Sequence, residues 1–324
     1  MAATVPSLAC QLRTEEFQRK ALPLPGREPR DNLRPMNVAL AHERKPLRTF
    51  LTDLHPHIAL TVWQQRARDG HLHIDGRPVH DFDQLVRAGN RVVHTISQEV
   101  EPDVSVDLRF LYEDNVLAVV SKPAPLAIHP CGRYNRNSLL PLLLHVFGQE
   151  PWYPVHRLDA DTTGLLVLAK TPSAARHLGK QFEARTVKKL YLARVFGIPQ
   201  SKHFSCSLQI THAPGTAGKR TAHELGSVTQ SLVPAFTEFE HLTTFSNQSL
   251  VSAAPSSGRT NQIRVHLAAM GLPIVGDDSH STSGEFTSGR TNLCLHAWQL
   301  AFRHPKSEAW LQFEDKPPPG LTPP

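Results

Sequence analysis

His156-Arg157-Leu158-Asp159-Ala160-Asp161-Thr162-Thr163-Gly164 runs straight into Leu165-Leu166-Val167-Leu168-Ala169. The continuous apolar run from Gly164 to Ala169 predicts a buried strand, and two carboxylates with a guanidinium stand at its entrance. One reading is a capped turn, in which Asp and Thr oxygens accept from nearby backbone N–H groups. The Asp-x-Asp-x-Thr string is also the signature of aspartate-nucleophile phosphatases. That chemistry wants the first Asp at the end of a buried strand, and here the strand follows, so that reading is rejected.

Outward from this stretch the chain reads as one mixed domain over 105–310. Thr171 and Pro172 form a helix start, with Thr171 as N-cap, and Ala175, Leu178 and Phe182 share its apolar face. Leu190 to Phe196 predicts a strand ending at Gly197, and Gln262 to Met270 a short helix stopped by Gly271. Upstream, Asp107–Tyr112 and Val116–Ser121 predict strands joined by Glu113-Asp114-Asn115. Ser138 to Phe147 predicts a helix with Pro141 in its first turn.

The span 46–100 is a separate small unit. Leu47, Phe50, Leu51 and Leu54 have helical spacing, and a second helix covers Ala59–Arg68. Gly70 ends it, His71–Val79 forms a strand pair turning at Asp75-Gly76, and Arg91–Ile96 follows a turn at Gly89-Asn90. Residues 1–45, with Pro23, Pro25, Gly26, Pro29 and Pro35, read as an irregular arm. Residues 311–324, with Pro317-Pro318-Pro319 and Pro323-Pro324, read as a frayed tail.

Composition narrows the class. With 40% hydrophobic and 20% charged residues the chain suits a globular core, and its net charge of +6 leans toward polyanionic partners. No apolar stretch reaches the roughly 18 residues of a membrane helix. The opening ten residues lack the basic start of a secretory signal. Four cysteines without paired spacing indicate neither a zinc knuckle nor a disulfide framework. A metal-dependent hydrolase using some of the 19 histidines finds no His-x-x-x-His helix to support it. The expectation is a cytoplasmic monomer with no metal, no cofactor and no membrane contact.

Three further stretches join the first: Ser121-Lys122-Pro123-Ala124-Pro125-Leu126-Ala127-Ile128-His129-Pro130, Lys189-Leu190-Tyr191-Leu192-Ala193-Arg194-Val195-Phe196-Gly197, and Gly258-Arg259-Thr260-Asn261-Gln262-Ile263-Arg264-Val265-His266-Leu267. Together, in order and spacing, they resemble the RluA family of RNA pseudouridine synthases, over about Leu108 to Pro305. The resemblance implies an α/β (α+β) fold with a largely antiparallel sheet and a site in a basic cleft across it. It implies uridine-to-pseudouridine isomerisation in structured RNA without cofactor or metal. Asp159 matches the family's catalytic aspartate, whereas Asp161 falls at a variable position. By the same matching Arg264 pairs with Asp159, Tyr191 stacks on the base, and Arg157 fills the space left by the flipped uridine. Lys122 and His129 are implied at the pocket's edge. Taken singly, Arg264 is a helix-surface arginine, Tyr191 a core aromatic and His129 a loop residue; their joint placement selects the functional reading. The chain departs from the family at Thr163 (usually Ser), Asn261 (usually His), Pro125 (usually Gly) and near His280 (usually Tyr). The string from His129 to Asn137 looks most like the branch acting on the tRNA anticodon arm. Large-subunit rRNA follows closely as a substrate, because an appended RNA-binding domain is typical of the rRNA enzymes.

Charge supports an RNA partner. From His156 to Val195 eight Lys/Arg stand against three acids, a net +5 that nearly equals the whole chain's excess. Lys188 and Lys189 lie in that segment, and Arg259 in the loop before the last helix. The 46–100 unit resembles the alpha-L RNA-binding domain, with Arg48, Arg66 and Arg68 as its candidate contacts. Thr61 stands where that domain usually has serine and Trp63 where it is often basic. A catalytically silent RNA-binding protein on the same fold is the alternative.

Overall fold

A computed structural model describes residues 6–56, 58–211, 222–223, 232–280 and 292–322. Two compact units emerge: Gly26–Glu101, and the segment up to Pro25 together with the chain from Pro102 on. The chain opens with α1 (Leu8–Lys20), capped by the Ser7 hydroxyl accepting from the Cys10 N–H at 3.3 Å. Its Cys10 and Phe17 pack into the core of the large unit beside Phe110 and Leu142. The arm expected to be irregular is therefore ordered. The helix escaped its sequence pattern because Leu8 and Leu12 face solvent while only Cys10 and Phe17 are buried.

The small unit holds β1 (Arg30–Asn37), α2 (Leu47–Leu54), α3 (Leu60–Arg68), β2 (Leu72–Ile74), β3 (Arg77–Pro78) and β4 (Arg91–Glu99). Its sheet runs β1-β4-β2-β3, all antiparallel. β1 also belongs to the expected arm; as an edge strand it tolerates Pro35, which has no N–H to donate. Both expected helices form, and Leu47, Phe50, Leu51, Trp63 and Ala67 close over the sheet. Trp63, fully buried, is a core residue.

The large unit continues with β5 (Arg109–Glu113), β6 (Leu117–Lys122), α4 (Leu139–Phe147), β7 (Tyr153–Pro154), β8 (Thr163–Ala169), α5 (Pro172–Glu183), β9 (Lys188–Phe196) and β10 (His203–Cys206). A small sheet of β11 (Gln209–Thr211), β12 (Ala222–His223) and β13 (Leu232–Val233) follows. Then come β14 (Thr237–Phe245), β15 (Gln248–Pro255), α6 (Gln262–Ala269), β16 (Leu295–Arg303) and β17 (Trp310–Glu314). The main sheet runs β10-β14-β15-β9-β16-β8-β6-β5, with β17 added to β16 and β7 to β8. Every pairing is antiparallel except β16 with β8, so the expected mixed, largely antiparallel fold is what forms. The strand expected at Gly164–Ala169 is β8, buried along nearly its whole length. Thr171 caps α5 as expected, its Oγ1 accepting from the Ala174 N–H at 3.1 Å. The tail is not frayed through Leu321: β17 pairs along β16, Asp315 is 2% exposed, and Leu321, in a short turn of helix at Pro319–Leu321, packs with Leu192 and Leu250. Pro323 and Pro324 lie outside the described residues.

The parallel joint between β8 and β16 is only two residues long, His296 opposite Thr163 and Ala297 opposite Gly164. Gly164 has φ +108°, and a Cβ there would stand 2.3 Å from the Ala297 carbonyl oxygen. Neither the backbone conformation nor the space admits a side chain. Gly164→Ala is expected to cost about 3 kcal/mol, read as a fall of roughly 6–12 °C in Tm by thermal denaturation. An unchanged Tm would refute the close approach.

Candidate active site

The turn leading into β8, the strand β9 and the start of α6 meet around a cleft of about 360 Å³. Leu158 anchors the turn in the core, and the Thr162 N–H closes it on the Asp159 carbonyl at 3.1 Å. Asp159 is thereby left partly exposed at the cleft wall, its side chain 21% accessible. Tyr191 reaches the cleft from β9, where it lies opposite Ala253 and Ala297. The start of α6 is pinned by Gln262, which accepts from Ser257 Oγ at 2.6 Å and donates to the Phe236 carbonyl at 3.0 Å. Asn261, at the N-cap, takes the left-handed conformation with φ 57°.

One helical position therefore presents Arg264 to three groups at once. Its Nε and Nη2 donate to the Asp277 carboxylate at 2.8 and 2.7 Å, and its Nη1 donates to Asn261 Oδ1 at 3.3 Å. The same Nη1 stands 3.5 Å from Asp159 Oδ2. Burial by itself would lower the guanidinium's pKa, but the Asp277 hydrogen bonds and charge, with Asp159 and Asp161 behind them, raise it. Burial likewise opposes ionisation of Asp277, and the Arg264 and His280 hydrogen bonds overcome it, holding the carboxyl below the usual range. Arg264 is thus a fixed cation beside Asp159. Burial of the Tyr191 hydroxyl, aided by the charge of Asp159, raises its pKa well above that of a free phenol. A neutral Tyr191 can stack and hydrogen-bond; it is not a phenolate.

The structure brings together Asp159, Tyr191, Arg264, Arg157, Lys189 and Arg259, all of which line the cleft. Arg157 and Arg259 are exposed there, while Lys189 donates to the Ser257 carbonyl at 3.2 Å and has its pKa lowered by burial and then by Arg185. Lys122 needs correction. It is fully buried, off the pocket's edge, and its Nζ donates to the carbonyls of Pro123 and Leu126 at 2.8 Å each and of Ala160 at 3.1 Å. Such a lysine cannot touch RNA; it braces the turn that carries Asp159. Burial pulls its pKa down to about 7, against the charges of Asp161 and Asp159. His129 is exposed but does not line the cleft. Lys188 is exposed on the neighbouring strand position, 5.7 Å from the Trp310 ring centroid, and does not line the cleft either. Arg48, Arg66 and Arg68 belong to the small unit, where Arg48 pairs with Asp83, Arg66 covers Trp63 and Arg68 donates to Gln65. Among the described residues no group of three or more His, Cys, Asp or Glu could hold a metal ion. Nor, among them, is any helix long and apolar enough to cross a membrane.

Comparison with known proteins decides the family. Residues 116–269 match the family model described as RNA pseudouridylate synthase. An RNA pseudouridine synthase of Synechocystis is 32% identical over 268 residues, 80% of this chain and 81% of the relative. The chain belongs to the RNA pseudouridine synthase family. The ribosomal large subunit pseudouridine synthase D of Nitrosomonas europaea is 35% identical, covering 72% of this chain and 70% of that one. The solved structure of human RNA pseudouridylate synthase domain containing 1 superposes with a TM-score of 0.57 at 27% identity, over 68% of this chain and 89% of that one. The resemblance drawn from the four stretches is borne out at this level, and these synthases are isomerases acting on RNA. The family model begins at residue 116 and so bears on the large unit alone.

Two site residues of this synthase escape a sequence reading. Asp277 carries most of the grip on Arg264, and Asn261 adds a third contact. A buried arginine facing a partly exposed aspartate calls for a second carboxylate, and Asp277 is the first one after Arg264 in the chain. That search would have found it.

Proposed function

We propose that this synthase isomerises uridine to pseudouridine in structured RNA with Asp159 as the catalytic carboxylate. The observation that carries the reading is Arg264, fixed by Asp277 and set 3.5 Å from Asp159 in a cleft also lined by Tyr191. A cleft of about 360 Å³ suits one flipped nucleotide and not a duplex. The carboxylate acts at the sugar, either as nucleophile at C1′ or by taking the C2′ proton, while the glycosidic bond breaks. The uracil then turns over Tyr191 and C5 joins C1′ as the ester bond to Asp159 breaks, or as Asp159 returns the proton to C2′; C5 loses its proton to solvent and N1 takes one up. Arg264 sets a positive charge beside the Asp159 carboxylate for the first step. Arg157 enters the gap left by the flipped base, and Lys189 and Arg259 take phosphates along the rim. The retained Asp159, Tyr191 and Arg264 argue against a silent binder. The substrate is a tRNA anticodon arm or large-subunit rRNA, the latter supported by the name of the Nitrosomonas relative.

Tritium release from RNA labelled at uracil C5 tests this, with tRNA and rRNA transcripts assayed separately. Release from either identifies the substrate class; no release from both, by folded protein that still binds RNA, would favour the silent binder. Binding itself should depend on salt. With Arg157, Arg185, Lys189 and Arg259 lining the cleft, log K is expected to fall with log salt at a slope of about −3. A slope near zero in a filter-binding titration would remove the electrostatic part of the reading.

A further inference from the structure

The reaction above leaves a buried polar chain unused. Asp315, just after β17, accepts from Arg109 Nη2 at 2.7 Å and from the Ser121 hydroxyl. His296, 1% exposed on β16, has Nε2 at 3.4 Å from the Asp315 carbonyl oxygen and 3.6 Å from its carboxylate. The other ring nitrogen, Nδ1, stands 2.8 Å from Thr163 Oγ1. Because Nε2 faces a carbonyl and a carboxylate, which can only accept, it carries the proton, so Nδ1 accepts from the Thr163 hydroxyl, whose other neighbour is the Leu295 carbonyl at 3.5 Å. A second branch leaves Asp315 through Ser121 to its neighbour Lys122, whose ammonium holds the Ala160 carbonyl. The two branches end on Ala160, inside the turn that begins at Asp159, and on Thr163, the first residue of β8 after it.

We propose that Asp315, His296 and Thr163 are positioning residues of the isomerisation, a buried relay that sets how the Asp159 turn enters the cleft. The proposal rests on the reading of Asp159 as the catalytic carboxylate. The location argues for it. Burying a carboxylate and an imidazole, with a half-buried hydroxyl beside them, costs desolvation that apolar side chains of similar volume would avoid. The relay is directed at the one turn whose geometry the chemistry needs. Burial pushes the imidazole's pKa down against the opposing charge of Asp315. None of the three lines the cleft.

The test is Thr163→Val, which removes the hydroxyl and keeps the shape, beside Thr163→Ser, which keeps the hydroxyl. His296→Gln, whose amide can still reach Asp315 but not Thr163, is the second lesion. Thr163→Val and His296→Gln are expected to lower single-turnover kcat by about 10²-fold, the scale of a 1 Å misplacement. The Kd for RNA should stay unchanged, and Thr163→Ser should restore kcat. Crystal structures of the two lesions should show Asp159 Oδ2 displaced from its 3.5 Å approach to Arg264. Unchanged kcat, no rescue by serine, or an undisplaced Asp159 would overturn the proposal. An inactive wild type would instead refute the isomerase reading and the catalytic half of this one, and the crystal structures would still decide whether the relay holds the turn.

Discussion

Asp159→Ala should abolish tritium release from every RNA the wild type modifies, by at least about 10⁴-fold in single-turnover rate, the scale of losing an essential reacting group. Asp159 is the one carboxylate that lines the cleft beside both Arg264 and Tyr191 among the described residues. Asp161, two positions on, is exposed and does not line it. Asp161→Ala is therefore the control expected to fold and bind RNA like the wild type, with a far smaller loss of rate. Asp159→Asn keeps size and hydrogen bonding but cannot attack C1′ or take a proton, and should be as inactive as Asp159→Ala. Equal losses at 159 and 161 would move the chemistry away from Asp159.

The largest effect on stability is expected at Arg264. Arg264→Met preserves the length of the side chain and leaves the buried Asp277 without its cation. Removing one partner of such a pair costs about 3–5 kcal/mol, a drop in Tm of roughly 10 °C or more. Its pH dependence should change sign. In the wild type the pKa of Asp277 is depressed, so its contribution is complete above the unfolded value of about 3.9 and is lost as pH falls further through the folded value. In the variant, burial is left opposed only by His280 and the Ser279 and His280 N–H groups. The folded pKa then rises above the unfolded one, and the penalty is relieved by acid. From pH 7 toward pH 4 the wild type should hold its Tm while the variant regains some of its loss. Parallel curves for the two proteins would show that Arg264 does not hold Asp277 ionised.

What a reader could take from the sequence follows the reach of local signals. The turn before β8, the Thr171 cap and α6 with its Gly271 stop were all legible, because caps, breakers and apolar runs act within a few residues. The three central site residues were legible from four strings in one family's order, and they do share a cleft. A lysine before proline, such as Lys122, gives no local sign that its ammonium is buried under three carbonyls. Asp315 was lost in a proline-rich tail because its partners, Arg109 and Ser121, lie 206 and 194 residues earlier. The first strand and helix were missed for opposite reasons, one carrying a proline that an edge tolerates, the other showing solvent its leucines.

The strand order carries a consequence for synthesis. One block of the main sheet, β5, β6 and β8, bears the Asp159 turn, and the other, β9, β15, β14 and β10, bears Tyr191 and leads into the Arg264 helix. Among the described residues only β16 is hydrogen-bonded to both. A nascent chain that has emerged as far as Asp277 already contains Asp159, Tyr191, Arg264 and Asp277, yet it has two open sheet edges where one strand belongs, a state exposed to mispairing. The two halves of the cleft are joined by the arrival of Leu295–Arg303, whose first residue also lines it.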